Sequence, residues 1–293
     1  MTQPAVQEGS PNTRYLQFSA LIAASIAIWW RPLLATARLA LSSDAHTHIL
    51  LVVPISLALI YLACRGSVPE ARRSPSGIYL LAIALLLRLF VMWSALPLST
   101  NDRVSLSMFG LVVSWLGSVL VCFGMETLRS LLFPLCFLVL VVPYPDRVLT
   151  GVVEFLQNSS AWATEFLFRL AHVPVTRDGI LLSIPGLDIE VAQECSSIRS
   201  SMMLLLITLV LAHVFLNSWW RKILLVLAVV PLSVVKNAIR IFTIGELGTR
   251  VDPSYLDGRL HRNGGIVFLS FAVLAVILLL WVLRRREVAD AQG

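Results

Sequence analysis

Apolar residues in this chain come in long runs, not at alternating or heptad positions. A membrane-crossing helix needs about 20 mostly apolar residues. Eight runs meet or approach that length, at 15–30, 48–64, 78–96, 104–123, 131–142, 195–216, 223–247 and 264–283. The fifth is short and extends back to about Thr127. The first is not a signal peptide, because no small-residue cleavage site follows it; Trp29 and Trp30 at its end have the character of an interfacial anchor. The pattern predicts an all-α membrane protein with about eight transmembrane helices.

One stretch, 143–194, breaks the pattern. Over 147–172, apolar Val152, Phe155, Leu156 and Phe166 mix with Glu154, Gln157, Asn158 and Glu165, as in an amphipathic helix lying at a membrane interface. Short β-type runs then alternate with the turn pairs Asp178-Gly179 and Pro185-Gly186, which predicts a small hairpin or meander. The chain therefore divides into 1–142 (five helices), 143–194 (an extracytoplasmic helix and hairpin insertion), 195–283 (three helices) and 284–293 (a basic tail). No internal repeat is visible.

Composition agrees. The chain is 57% hydrophobic and 14% charged, with a mean hydropathy of +0.82, whereas a soluble domain is about 45–50% apolar and about 25% charged. Soluble domains, disorder, coiled coil, collagen and disulfide-rich modules are excluded. A net charge of +6 does not point to nucleic acid, since the basic residues sit at the ends of apolar runs, where they orient membrane helices. With the N-terminus inside, Arg14, Arg65, Arg72, Arg73, Arg129, Arg221, Lys222 and Arg284 to Arg286 fall inside; Arg31, Arg38, Arg103, Arg250, Arg259 and Arg262 fall outside. Both termini are then cytoplasmic, in a cytoplasmic (inner) membrane, with 143–194 outside. Four cysteines form no disulfide framework; Cys64, Cys122 and Cys136 read as small core residues.

Ionisable and polar groups in a span are costly and call for a reason. Three clusters stand out. Glu194, Cys195, Ser196, Ser197 and Arg199 open the sixth run. Cys195 and Arg199 are four residues apart, on one helix face. A helix start and a nearby guanidinium both favour thiolate, although the same residues also suit a polar helix start with an incidental cysteine. Lys236, Asn237 and Arg240 lie in the seventh run. At about 1.5 Å per residue, Arg240 sits about 26 Å along it, near the outer surface of a core about 30 Å thick. Snorkelling to the interface accommodates Arg240 more easily than Lys236. His261 and Arg262 open the eighth run, beside Asn263 as an N-cap candidate. If the orientation holds, cysteine, arginine and histidine reach one leaflet: a nucleophile, an oxyanion stabiliser and a proton-transfer group.

Cys-Ser-Ser-Ile-Arg-Ser at 195–200, Asn-Ala-Ile-Arg-Ile at 237–241 and His-Arg-Asn-Gly-Gly at 261–265 resemble the three signature segments of the exosortase/archaeosortase family. These are multi-pass membrane cysteine transpeptidases. The resemblance is best over about 142–283. It implies Cys195 as nucleophile, Arg240 as the essential arginine and His261 as the third site residue. Some relatives carry arginine at that third position, and here Arg262 is adjacent. Family members often have glycine where this chain has Ser197, and some carry a fused soluble C-terminal domain that this sequence lacks. Lys236, Asn237, Arg199, Arg262, Ser196, Ser197 and Glu194 would support the site or bind substrate.

The implied partners are exported proteins with a C-terminal tripartite sorting signal: a short motif such as Pro-Glu-Pro, an apolar span and a basic tail. Cleavage would pass through a thioacyl intermediate that an acceptor nucleophile resolves. No cofactor is expected, and no metal motif of the His-Glu-x-x-His or paired Cys-x-x-Cys kind occurs. Other classes stay open on the residues alone. A polytopic transporter or polysaccharide-export subunit could use Lys236 and Arg240 to bind an anion, but shows few carboxylates within spans and no repeat symmetry. A structural subunit would tolerate substitution at each site residue. A membrane glycosyltransferase would want patterned acids, and Asp146, Asp188, Asp252 and Asp257 form no recognisable pattern.

Overall fold

The computed structural model describes residues 11–65, 74–191, 198–254 and 259–290, with the backbone alone at 11 and over 259–264. It divides into two compact units, Met1–Asp146 and Arg147–Gly293.

The first unit holds α1 (Pro11–Ile28), α2 (Trp30–Ser42), α3 (Ile49–Cys64), α4 (Gly77–Trp93), α5 (Thr100–Ser130) and α6 (Leu132–Phe137), with 3-10 turns at Asp44–His46 and Leu138–Val141. The first apolar run is not one straight helix: α1 and α2 meet at a bend of 72°. Pro32 explains it, since its ring would clash with the carbonyl of Ile28 and it has no N–H to give. The bend buries Trp29, at 3% exposure, and leaves Trp30 exposed. Trp29 is therefore a core residue and not the interfacial anchor expected of it.

Helices α4 and α5 pack at backbone distance. A Cβ on Gly77 would lie 2.7 Å from the carbonyl oxygen of Gly117 and 2.6 Å from Val121 Cγ2. Small residues allow this close approach, the usual basis of helix association in membranes. Ser114 and Ser118 on α5 satisfy their hydroxyls on their own helix, donating to the carbonyls of Leu111 and Ser114. Ser99 caps α5, its Oγ accepting from the N–H of Asp102 at 2.9 Å. Arg103 donates to the carbonyls of Val91 and Leu96 at 2.8 and 3.0 Å and so closes the C-terminal end of α4.

The second unit contains α7 (Asp146–Leu170) from its second residue on, β1 (Thr176–Asp178), β2 (Leu181–Ile184), β3 (Leu187–Glu190), α8 (Ile198–Phe215), α9 (Trp219–Leu227), α10 (Val229–Arg250) and α11 (Arg259–Asp290). Helix α7 ends in a Schellman turn: the N–H of Val173 bonds the carbonyl of Phe168 at 2.9 Å, and His172 takes the left-handed conformation with φ 56°. The strands form an antiparallel meander in the order β1-β2-β3, in register Asp178↔Leu181 and Ile184↔Leu187. Gly179 and Gly186 at its two turns have φ of 59° and 83°, which a side chain would strain. Helices α8, α9, α10 and α11 share a core that includes Leu204, Leu216, Leu225, Val276 and Leu283. At one end of this bundle, buried Arg221 pairs with Glu287 at 3.5 Å and with Asp290. Glu287 also accepts from the N–H groups of Asn217 and Ser218 ahead of α9.

The membrane character stands, and the count of eight is not reached by the long helices alone. Among the described residues five helices are long and apolar enough to cross a membrane, or up to seven if two bent pairs each make one span. Helix α4, with 17 residues, rises about 26 Å, at the short end of what crosses a core about 30 Å thick. The fifth run is broken, because the helix stops at Ser130 and resumes as the six-residue α6 before tightening into a 3-10 turn. Two cysteine expectations also change: Cys122 is buried, but Cys64 and Cys136 are exposed on the protein surface. A helix that is apolar all round keeps apolar residues on the face it turns away from the protein, so hydrophobicity alone does not make a residue core.

Candidate active site

Helix α10 carries the second cluster. It forms, with α9, one apolar stretch over Trp219–Arg250. At about 1.5 Å per residue Arg240 lies about 32 Å along this stretch. Lys236 is 5% exposed and Asn237 1%, while Arg240 is half-buried. Lys236 does not snorkel: its Nζ donates to Ser200 Oγ on α8. The two helices also bury Ser201 and Ser233, so polar groups accumulate on the inward faces of both.

Of the first cluster, Arg199 lies among the described residues. Arg199 and Ser200 are the second and third residues of α8; Arg199 is exposed and Ser200 half-buried. Glu194, Cys195, Ser196 and Ser197 lie outside the described residues, as does the helix turn expected to put Cys195 and Arg199 on one face. The residues flanking this segment are firmly held. Val191 is buried in a cluster with Ala161, Leu182 and Ile241, the neighbour of Arg240 in sequence. Its N–H bonds the carbonyl of Ile180 at 3.0 Å, and its own carbonyl accepts from Gln157 Nε2 at 2.8 Å. On the far side Ile198 is buried and Ser200 is tied to Lys236. Val191 and Ser200, on either side of 192–197 in sequence, thus meet α10 at Ile241 and Lys236.

The third cluster sits on α11. Its helix begins at Arg259, so His261 and Arg262 lie in the first turn and Asn263 lies inside the helix, not at the N-cap expected of it. Gly264 and Gly265 cost about 1 kcal/mol each in a helix interior, too little to stop one this long. The side chains of His261 and Arg262 lie outside the described residues. Ahead of this helix, Asp252 accepts from the N–H of Ser254 at 2.7 Å. That bond, with the Ser254 hydroxyl, holds the exposed Asp252 carboxyl below its ordinary range.

Several contributors escape a reading of the sequence. Gln157 looks like part of the polar face of α7, yet it is 7% exposed, while Phe155, Trp162 and Phe166 face outward. The buried side of α7 must satisfy Val191, whereas aromatic side chains suit an outward face beside lipid. Gly245 admits the meander: a Cβ there would lie 2.9 Å from Ile189 Cδ1 and 3.0 Å from Phe168 Cζ. Phe168 meets Phe242 at 5.0 Å between ring centroids. Arg177 on β1 ties the meander to α7 through Glu165 at 2.8 Å. Among the described residues, no group of three or more His, Cys, Asp or Glu is placed to hold a metal ion.

A protein-family model described as transmembrane exosortase (Exosortase_EpsH) matches residues 29–280. No curated protein matches the chain, and no solved structure does.

Proposed function

The chain belongs to the transmembrane exosortase family, multi-pass membrane proteins with a general sorting-transpeptidase role, and we propose that it is a cysteine transpeptidase that cleaves the C-terminal sorting signal of exported proteins. The cut is made at the outer face of the cytoplasmic membrane, by Cys195, Arg240 and His261.

The observation that supports this reading is that Val191 and Ser200, on either side of 192–197 in sequence, meet α10 within a turn or so of Arg240. Val191 packs with Ile241, and Ser200 bonds Lys236. A chain of three residues, the separation of Cys195 from Ile198, reaches at most about 11 Å. In this proposal Cys195, three residues from the buried Ile198 in sequence, works beside the helix that carries Arg240.

In the proposed reaction the Cys195 thiolate attacks the scissile carbonyl carbon. Arg240 donates to the oxyanion as it forms, where a guanidinium offers several donors in a rigid fork. His261 gives its proton to the leaving amine, and the C–N bond breaks to leave a thioester on Cys195. An acceptor nucleophile then adds to the thioester carbonyl and restores the thiol. The substrate's apolar span lies beside the bundle, which brings its motif to the leaflet of Cys195; a motif of the Pro-Glu-Pro type is the substrate class we infer from the family. Arg262 is the alternative third residue, and His261→Ala against Arg262→Ala separates the two.

The test is co-expression with an exported protein bearing such a signal, followed by mass spectrometry of its new C-terminus. A defined cut made by the wild type and absent with Cys195→Ala supports the proposal. An uncut substrate, or a cut that persists in Cys195→Ala, overturns it.

A further inference from the structure

Lys236 occupies a costly place. An ammonium is compact and strongly hydrated, and a lysine in a span ordinarily stretches toward the interface. Here it turns inward, is 5% exposed, and gives its hydrogen bond to a hydroxyl, Ser200 Oγ on the neighbouring helix. The surroundings are polar on both helices, with Ser201, Ser233 and Asn237 all buried. Bulk cohesion of the bundle has another source, the apolar core of α8 to α11 around Leu204, Leu216 and Val276. The bond from Lys236 is made at the third residue of α8, one turn before the core residue Leu204.

We propose that Lys236 and Ser200 are a positioning pair: the bond from Lys236 Nζ to Ser200 Oγ locks the first turn of α8 against α10 and so fixes where the chain entering that turn delivers Cys195 relative to Arg240. This rests on the reading of Cys195 as nucleophile and Arg240 as oxyanion donor. Neither member of the pair touches the reacting atoms. Their effect is geometric, and a misplacement of about 1 Å can cost about 10²-fold in rate. Ser200 is the more diagnostic member, because Ser200→Thr keeps the hydroxyl and Ser200→Ala removes it. Lys236→Met removes the donor and the buried charge together, a change that folding ordinarily tolerates.

The full-length protein in membranes is read in two ways: cleavage of a co-expressed sorting-signal substrate, and the rate at which iodoacetamide alkylates Cys195 when Cys64, Cys122 and Cys136 are alanine. Ser200→Ala and Lys236→Met should each lower kcat about tenfold or more, with KM within about twofold, and shift the alkylation rate about threefold or more. Ser200→Thr should restore both to within about twofold, and the double variant should be no slower than Lys236→Met alone, as expected of partners in one bond. Wild-type kcat and alkylation in either single variant, a Ser200→Thr protein as slow as Ser200→Ala, or fully additive losses in the double variant would overturn the pair. Should Ser200→Ala fail to fold, Lys236→Met and Ser200→Thr decide the matter. If the wild type cuts no substrate while alkylation of Cys195 still falls into this pattern, the transpeptidase reading fails and the positioning pair stands. If the wild type cuts through Cys195 and the variants match it in both readouts, the pair fails and the transpeptidase stands.

Discussion

Gln157 on α7 donates through Nε2 to the carbonyl oxygen of Val191 at 2.8 Å, with both residues buried. This bond pins the end of the meander four residues before Cys195 in the chain. Leucine at position 157 would fill a similar volume but leave that buried carbonyl without its partner, at a cost of about 1–3 kcal/mol. We expect Gln157→Leu to lower the thermal midpoint in detergent and to slow substrate cleavage. Unchanged values of both would mean that the bond does not hold the entry to 192–197.

Arg240→Lys should lose most activity although the charge is kept, because a lysine presents a single compact centre in place of a fork. The expected loss is on the order of 10²–10³ in kcat, that of one oxyanion donor. Kinetics near those of the wild type would reduce Arg240 to a positive charge or an interfacial anchor.

Cys195 should be the thiol that a water-soluble maleimide labels. Cys122 is buried, and Cys64 and Cys136, though exposed on the protein, lie in apolar runs that lipid would cover. Cys195→Ser should accumulate uncut substrate. Labelling of intact membranes followed by peptide mapping checks the first expectation, and an immunoblot of the substrate checks the second. Labelling that persists when Cys195 alone is removed would contradict this assignment.

Gly77→Ala should destabilise the first unit. The new Cβ would lie 2.7 Å from both the Gly117 carbonyl oxygen and the Val121 backbone nitrogen, and backbone cannot step aside as a flexible side chain can. Overpacking of this kind costs about 1–3 kcal/mol. A denaturation midpoint equal to that of the wild type would show that α4 and α5 do not approach as closely as described.

The proposed orientation is checked by reporter fusions. A fusion after Gln157 should report the extracytoplasmic side and one after Asn217 the cytoplasm, as the basic clustering at Arg221 and Arg284 to Arg286 requires. An extracytoplasmic signal at Asn217 would place Cys195 on the wrong side for exported substrates.

The sequence by itself determined the membrane class, its helical character and the family. Each rests on properties written locally: the length of an apolar run, and three short motifs in a fixed order. The turns at Gly179 and Gly186 were equally legible, because a glycine after aspartate or proline announces its own backbone conformation. Tertiary structure alone decided which residues face inward. Trp29 is core because Pro32 bends the chain, and Gln157 is buried because Val191, 34 residues away, needs a donor. Lys236 turns away from the interface because Ser200 on another helix accepts from it. The span count also exceeded what runs of hydrophobicity can settle, since a kink or a break leaves composition unchanged. In an apolar solvent the outward and inward faces of a helix are both hydrophobic. The amphipathic signal that reveals a core in water therefore fades, and only contact between distant segments distinguishes the two faces.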